Sequence, residues 1–113
     1  MRRPLLSLLA VAGLVAGCAG ESPEVPVGPD GVADPVLVEG REIFSGRCAN
    51  CHGASGGGGQ GSKLSDGAVV ASFPDPADQA EVVRNGRNAM PSFGDALDDD
   101  QIDAVVRYTR EVL

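Results

Sequence analysis

Cys48-Ala49-Asn50-Cys51-His52 is the stretch that organises this chain. Two thiols three positions apart, with an imidazole directly after the second, is the pattern of covalent haem attachment. The chemistry requires that order. Each thiol adds to one of two adjacent porphyrin vinyl groups, and the two residues between them set the spacing. The histidine is then held under the iron, where a neutral ring nitrogen can bind it. Three other readings compete. A thioredoxin-like redox pair needs a βαβ setting, and nothing around it reads as strand. A tetrahedral zinc site usually takes four protein ligands, and beyond these three residues only Cys18 remains. A structural disulfide between Cys48 and Cys51 is the third, and it would give the adjacent histidine no role.

Around this motif the chain has 113 residues. A domain this small often needs a staple, and haem is a large apolar one. Phe44, Phe73, Phe93 and Tyr108 are the only aromatics. The formal charge is −7, and it becomes more negative if Arg2 and Arg3 leave with a leader. An acidic balance argues against a nucleic-acid partner. The acidic cluster at Asp98, Asp99, Asp100 and Asp103 reads as a solvated face and helix start, or as steering toward a basic partner.

Toward the N-terminus, Met1-Arg2-Arg3 precedes an apolar run from Leu5 to Val15. The run is too short to span a membrane and has the layout of a secretory signal. It ends in Val15-Ala16-Gly17-Cys18, which resembles the bacterial lipoprotein lipobox. In that family the cysteine receives a diacylglycerol and becomes the first mature residue. Multiple acyl chains anchor stably where one is marginal. Residues 1–17 are therefore expected to be a signal peptide. Residues 18–34, with prolines and glycines and no periodicity, read as a poorly ordered linker. Extended at about 3.1 Å per residue, such a linker reaches roughly 50 Å and lets a domain swing between neighbours.

Residues 35–113 carry the folded domain. Asp34-Pro35 starts a helix: an N-cap, then proline at the first helical position. Val36, Leu37, Gly40, Ile43, Phe44 and Arg47 share one side at helical spacing. After His52 comes a glycine-rich stretch to Leu64. Its formal GxGxxG, Gly56 to Gly61, lacks a preceding strand and a ribose-binding acid, and Ser62 stands where a phosphate loop needs lysine. It reads as backbone that turns repeatedly close to the haem and is locally mobile. Residues 64–72 give a weak helical signal. Asp75-Pro76 and Asp78-x-x-Glu81 offer two alternative caps for a helix that Gly86 ends. Arg87 can serve that helix's dipole or pair with a haem propionate. Met90 is the only methionine besides the initiator and His52 the only histidine. A second protein ligand cannot then be histidine. Met90, in a loop restrained by Pro91, supplies a soft thioether that raises the potential; its bland reading is a core gap-filler. Asp98-x-x-Gln101 is a capping box for a last helix with Ile102, Val105, Val106, Thr109 and Val112 on one face.

Together these residues resemble the class I cytochromes c, the small bacterial monohaem kind, over about residues 34–113. The resemblance implies an all-α cytochrome c fold, with first and last helices crossing near-perpendicular around one covalent haem c. Gly40 and Phe44 match the family's small and aromatic residues at that crossing, and Val105 and Tyr108 can supply the facing pair. The family places a proline about ten residues after the haem histidine, and its carbonyl accepts the second imidazole N–H. Ser62 stands there, and its carbonyl can serve. Leu64 is then expected to pack on the haem, with His52 and Met90 as axial ligands and Cys48 and Cys51 as thioethers. The implied function is one-electron carriage by an outer-sphere mechanism, not enzymatic catalysis. The partners are redox proteins of an electron-transport chain, docked weakly to a monomer that a lipid on Cys18 holds at the extracytoplasmic side of a membrane. A haem subunit of a larger dehydrogenase or oxidase is the alternative, and a gas- or peroxide-responsive protein is implied if Met90 does not hold the iron.

Overall fold

The computed structural model describes residues 20–113. The expected signal peptide and Cys18 lie outside the described residues. Among the described residues five α-helices appear in order: α1 (Pro35–Ile43), α2 (Ala49–His52), α3 (Ala68–Ser72), α4 (Pro76–Asn85) and α5 (Asp99–Glu111). A π-helical turn, Phe44–Cys48, joins α1 to α2. Among the described residues extended pairing is limited to two isolated bridges, and no helix is long and apolar enough to cross a membrane.

The helix starts obey their capping chemistry. Asp34 accepts from the Val36 N–H at 2.9 Å, with Pro35 behind it. That N–H, and then the Arg107 guanidinium, hold the Asp34 carboxyl below its ordinary range. Of the two possible caps for α4, the chain uses Asp75, which accepts from the Ala77 N–H at 2.9 Å. At α5 the box closes in both directions: Gln101 N–H to Asp98 at 2.9 Å, and Asp98 N–H to Gln101 at 3.0 Å. Such a closed box satisfies two orphan donors and contributes about 1 kcal/mol.

The core lies between α1 and α5. Gly40 sits against α5 so closely that a Cβ there would fall 2.7 Å from the Ala104 carbonyl carbon and 2.8 Å from the Tyr108 Cβ. Only a residue without a side chain allows this approach, which explains a glycine in a helix interior. One turn on, Phe44 and Tyr108 meet with ring centroids 5.6 Å apart, tilted by 45°, a geometry that aromatic quadrupoles favour. Both are fully buried, with Val105 beside them. A second cluster joins Ile102 and Val106 to Ala80 and Leu97. Val36, expected on the packed side of α1, is exposed.

Residues 18–34 do not behave as a free linker where the structure describes them. Val25 is buried in the same cluster as Phe44 and Tyr108, and Ser22 is buried too. The Tyr108 hydroxyl donates to the Pro23 carbonyl at 2.7 Å. The Arg41 guanidinium donates to the carbonyls of Ser22 (2.9 Å) and Pro23 (3.0 Å) and to Glu24. The chain then reverses between Val27 and Ala33. Pro23 and Pro26 have no N–H to enter a backbone ladder, and the strap's carbonyls accept instead from side chains of α1 and α5.

Candidate functional site

A cavity of about 420 Å³ opens beside α5, and Cys48, Cys51, His52 and Met90 all line it. The chain delivers them from two directions. The first three come from the C-terminal end of the α1–α2 rod. The π turn matters here: the Ala49 N–H bonds to the Phe44 carbonyl, five residues back. The extra residue re-aims the next turn, so Phe44 packs on α5 while Cys48, Cys51 and His52 face the cavity. Such bulges recur at functional sites, and nothing in the Phe44–Cys48 sequence announced this one.

No disulfide joins Cys48 to Cys51. Burial pushes the Cys48 thiol up to about 11, with Arg47 opposing the rise and Cys51 adding to it. It is therefore a neutral thiol at neutral pH. The His52 Nδ1 stands 2.7 Å from the Ser62 carbonyl. A carbonyl can only accept, so the proton sits on Nδ1 and the Nε2 lone pair is left available. The glycine stretch makes this contact possible. A Cβ on Gly61 would lie 2.7 to 3.1 Å from the imidazole ring atoms. The stretch is tied back to the motif: Gly58 N–H to the His52 carbonyl (2.7 Å) and Gly61 N–H to the Cys51 carbonyl (2.8 Å).

Met90 arrives from the segment after α4. Arg87 and Met90 exchange backbone hydrogen bonds of 3.1 and 3.0 Å across a tight turn, with Asn88 at φ 53°. The segment then returns to the end of α4. Phe93 and Gly94 donate to the Val83 and Arg84 carbonyls, and the Ser92 hydroxyl also donates to Arg84. These are carbonyls that a helix end leaves without partners. Gly86 permits the return: its φ is +73°, and a Cβ would fall 2.6 Å from the Met90 carbonyl oxygen.

The remaining wall is mostly apolar, with Leu64, Val69, Phe73, Val82, Val83 and Phe93 among its residues. Two guanidiniums, Arg47 and Arg87, also line the cavity. Arg87 lies 5.3 Å from the centre of the Phe73 ring, a cation–π contact. Gln79 and Thr109, both buried, bond to each other at 2.8 Å in the same wall. Arg47, Gly61, Gln79 and Thr109 were not singled out as site residues from the sequence. Arg47's place next to Cys48 was the one available sign. The residues fit a covalently attached haem: two unoxidised thiols, an imidazole with one nitrogen free, a soft thioether and apolar walls on a cavity of ligand size.

The sequence model of the family described as cytochrome c oxidase, cbb3-type, subunit III matches residues 35–108. Cytochrome c6 of Bryopsis maxima is 37% identical over 76 residues, covering 64% of this chain and 86% of that protein. Cytochrome c6C from Synechococcus sp. PCC 7002 superposes with a TM-score of 0.54 at 31% identity, covering 63% of this chain and 89% of that one. A dihydro-haem d1 dehydrogenase superposes with a TM-score of 0.60 at 33% identity; the match covers 65% of this chain but only 16% of that enzyme.

Proposed function

The chain belongs to the small class I c-type cytochromes, electron-transfer proteins with one covalently bound haem c, and we propose that its residues divide the work in the following way. Cys48 and Cys51 would form the thioether links to a haem c, and His52 and Met90 would bind its iron. The haem, when bound, supplies a one-electron ferric–ferrous couple. The Ser62 carbonyl keeps the proton on Nδ1 and so aims Nε2 into the cavity. The Met90 thioether, soft and neutral, favours the reduced state. Leu64 and its apolar neighbours exclude water, and Arg87 takes the propionates, with Arg47 as a second cation on the cavity. Electrons pass to and from redox partners that dock weakly on a monomer.

The observation that carries this reading is the convergence of Cys48, Cys51, His52 and Met90 on one cavity, with the imidazole already held by Ser62. Visible spectra of the oxidised and reduced protein test it. A weak far-red band in the ferric state is expected from Met90 on iron. Its absence, with ready carbon monoxide binding when reduced, would favour an open, gas- or peroxide-responsive site.

The leader, residues 1–17, exports the chain, and a diacylglycerol on Cys18 anchors it to the extracytoplasmic side of a membrane. Cys18→Ser is expected to move the protein to the soluble fraction; retention on the membrane would sink the lipid reading. A haem subunit of a larger complex is the second reading, supported by the oxidase-subunit family match and by the likeness to one part of a larger enzyme. Purification in mild detergent separates the two: a stoichiometric partner surviving moderate salt favours the subunit.

A further inference from the structure

The strap before α1 changes what a lipid on Cys18 would do. A free linker of residues 18–34 would reach roughly 50 Å. Ser22, however, is buried on the domain, only four residues from Cys18, which leaves at most about 14 Å of extended chain. The path is narrower still, because a Cβ on Gly20 would stand 3.7 Å from the Ala54 Cβ. Cys18 is two residues from Gly20, a reach of about 7 Å, and Ala54 is two residues beyond His52.

The hold on the strap is distributed. Val25 lies in the α1–α5 core, and Arg41 and Tyr108 donate to the Ser22 and Pro23 carbonyls. The side so presented suits a lipid surface. Residues 53–62 carry no charged side chain in a chain of net charge −7, so they meet headgroups without ionic desolvation or repulsion. Glu24 is paired with Arg41, and Glu21 stays exposed. The glycine loop packs against Leu113, just past the C-terminal end of α5, whereas the Met90 segment is held by the end of α4, whose Arg84 pairs with Asp99 at the opposite end of α5.

We propose that the strap is a clamp which seats the domain on the lipid surface by its His52-side glycine loop, leaving the Met90 segment turned to the aqueous phase where redox partners dock. This rests on the lipid-anchored reading of Cys18. A swinging tether would expose every side of the domain to the membrane; the clamp exposes one.

Haem and lipid occupy the three native cysteines in the proposed mature protein, so an introduced cysteine is a unique labelling point. Ser55→Cys and Asp95→Cys, each nitroxide-labelled, would be placed in phosphatidylcholine vesicles containing a nickel-chelating lipid, with the haem reduced. Strong relaxation by headgroup nickel is expected at position 55 and loss of that effect at position 95. Arg41→Gln combined with Tyr108→Phe and, separately, Val25→Asp are expected to bring the two labels to equal relaxation while the haem spectrum is retained. Equal relaxation in the parent protein would overturn the clamp and leave the anchor standing. The mass of the Cys18 peptide is read in the same samples: absence of the diacylglycerol would overturn the anchor, and the seating with it. If Val25→Asp fails to fold, the Arg41→Gln, Tyr108→Phe pair carries the comparison, since it removes the side-chain hydrogen bonds to the Ser22 and Pro23 carbonyls and leaves the Tyr108 ring in place.

Discussion

The two walls of the cavity that carry His52 and Met90 are built on different principles. His52 ends a helical rod, stands between a cysteine-bearing turn and a loop laid flat on its ring, and has one nitrogen held at 2.7 Å by Ser62. Met90 sits at a tight turn outside any helix, held through its backbone, by its exchange with Arg87 and by its neighbours' bonds to the end of α4. The first wall fixes a side chain; the second fixes a backbone and leaves the side chain to find its place. This contrast locates where the molecule can yield. On the proposed ligation, loss of the first wall would remove the cofactor's seat, whereas loss of the second would change how the iron is tuned and what can reach it.

Four substitutions put that contrast at risk. The largest effect is expected from Gly61→Val, which drives a branched side chain into the imidazole; overpacking there costs about 3 kcal/mol, with a sharp fall in haem-loaded yield. A normal yield and melting temperature would remove the loop from the seating of His52. Met90→Ala comes next. Covalent haem should stay and the melting temperature should drop by the equivalent of about 2 kcal/mol, while the potential falls and carbon monoxide binds. An unchanged potential takes Met90 off the iron.

Gly86→Ala acts on the same wall from a distance. Its backbone conformation, φ 73° and ψ 169°, belongs almost only to glycine, so a side chain costs on the order of 1–3 kcal/mol. Titrating the far-red band against temperature should show it fading before covalent haem or helix content is affected; a coincident loss would mean the two walls unfold as one. Arg87→Gln is the mildest. About 0.5–1 kcal/mol of cation–π contact with Phe73 is lost, and the potential should fall slightly as a cation leaves the cavity rim. No change in potential would assign Arg87 to the loop alone.

Parts of both walls were legible residue by residue. Cys48, Cys51 and His52 come from a spacing that chemistry imposes, and the caps at Asp34 and Asp98 from local hydrogen bonding. Ser62 was legible only through the resemblance, and the resemblance named its backbone, not its side chain. Gly61 was hidden among other glycines, because the ring it touches comes near only when the loop folds back over it. Ala104 was hidden for a similar reason: an ordinary helical alanine whose carbonyl meets Gly40. The strap was read as a linker since proline and glycine look alike in composition whether free or docked. It is docked by a pair of donors, Arg41 and Tyr108, far along the chain.

The covalent chemistry, the helical class and most helix starts were written in the amino-acid order alone, since each depends on residues within a few positions of one another. Tertiary structure settled the π turn that aims the haem motif, the glycines that let backbone touch imidazole and helix touch helix, and the docking of residues 22–25. Those depend on which surfaces meet. A side chain's absence, or a carbonyl's lone pair, gains its meaning only when the chain brings a partner to it.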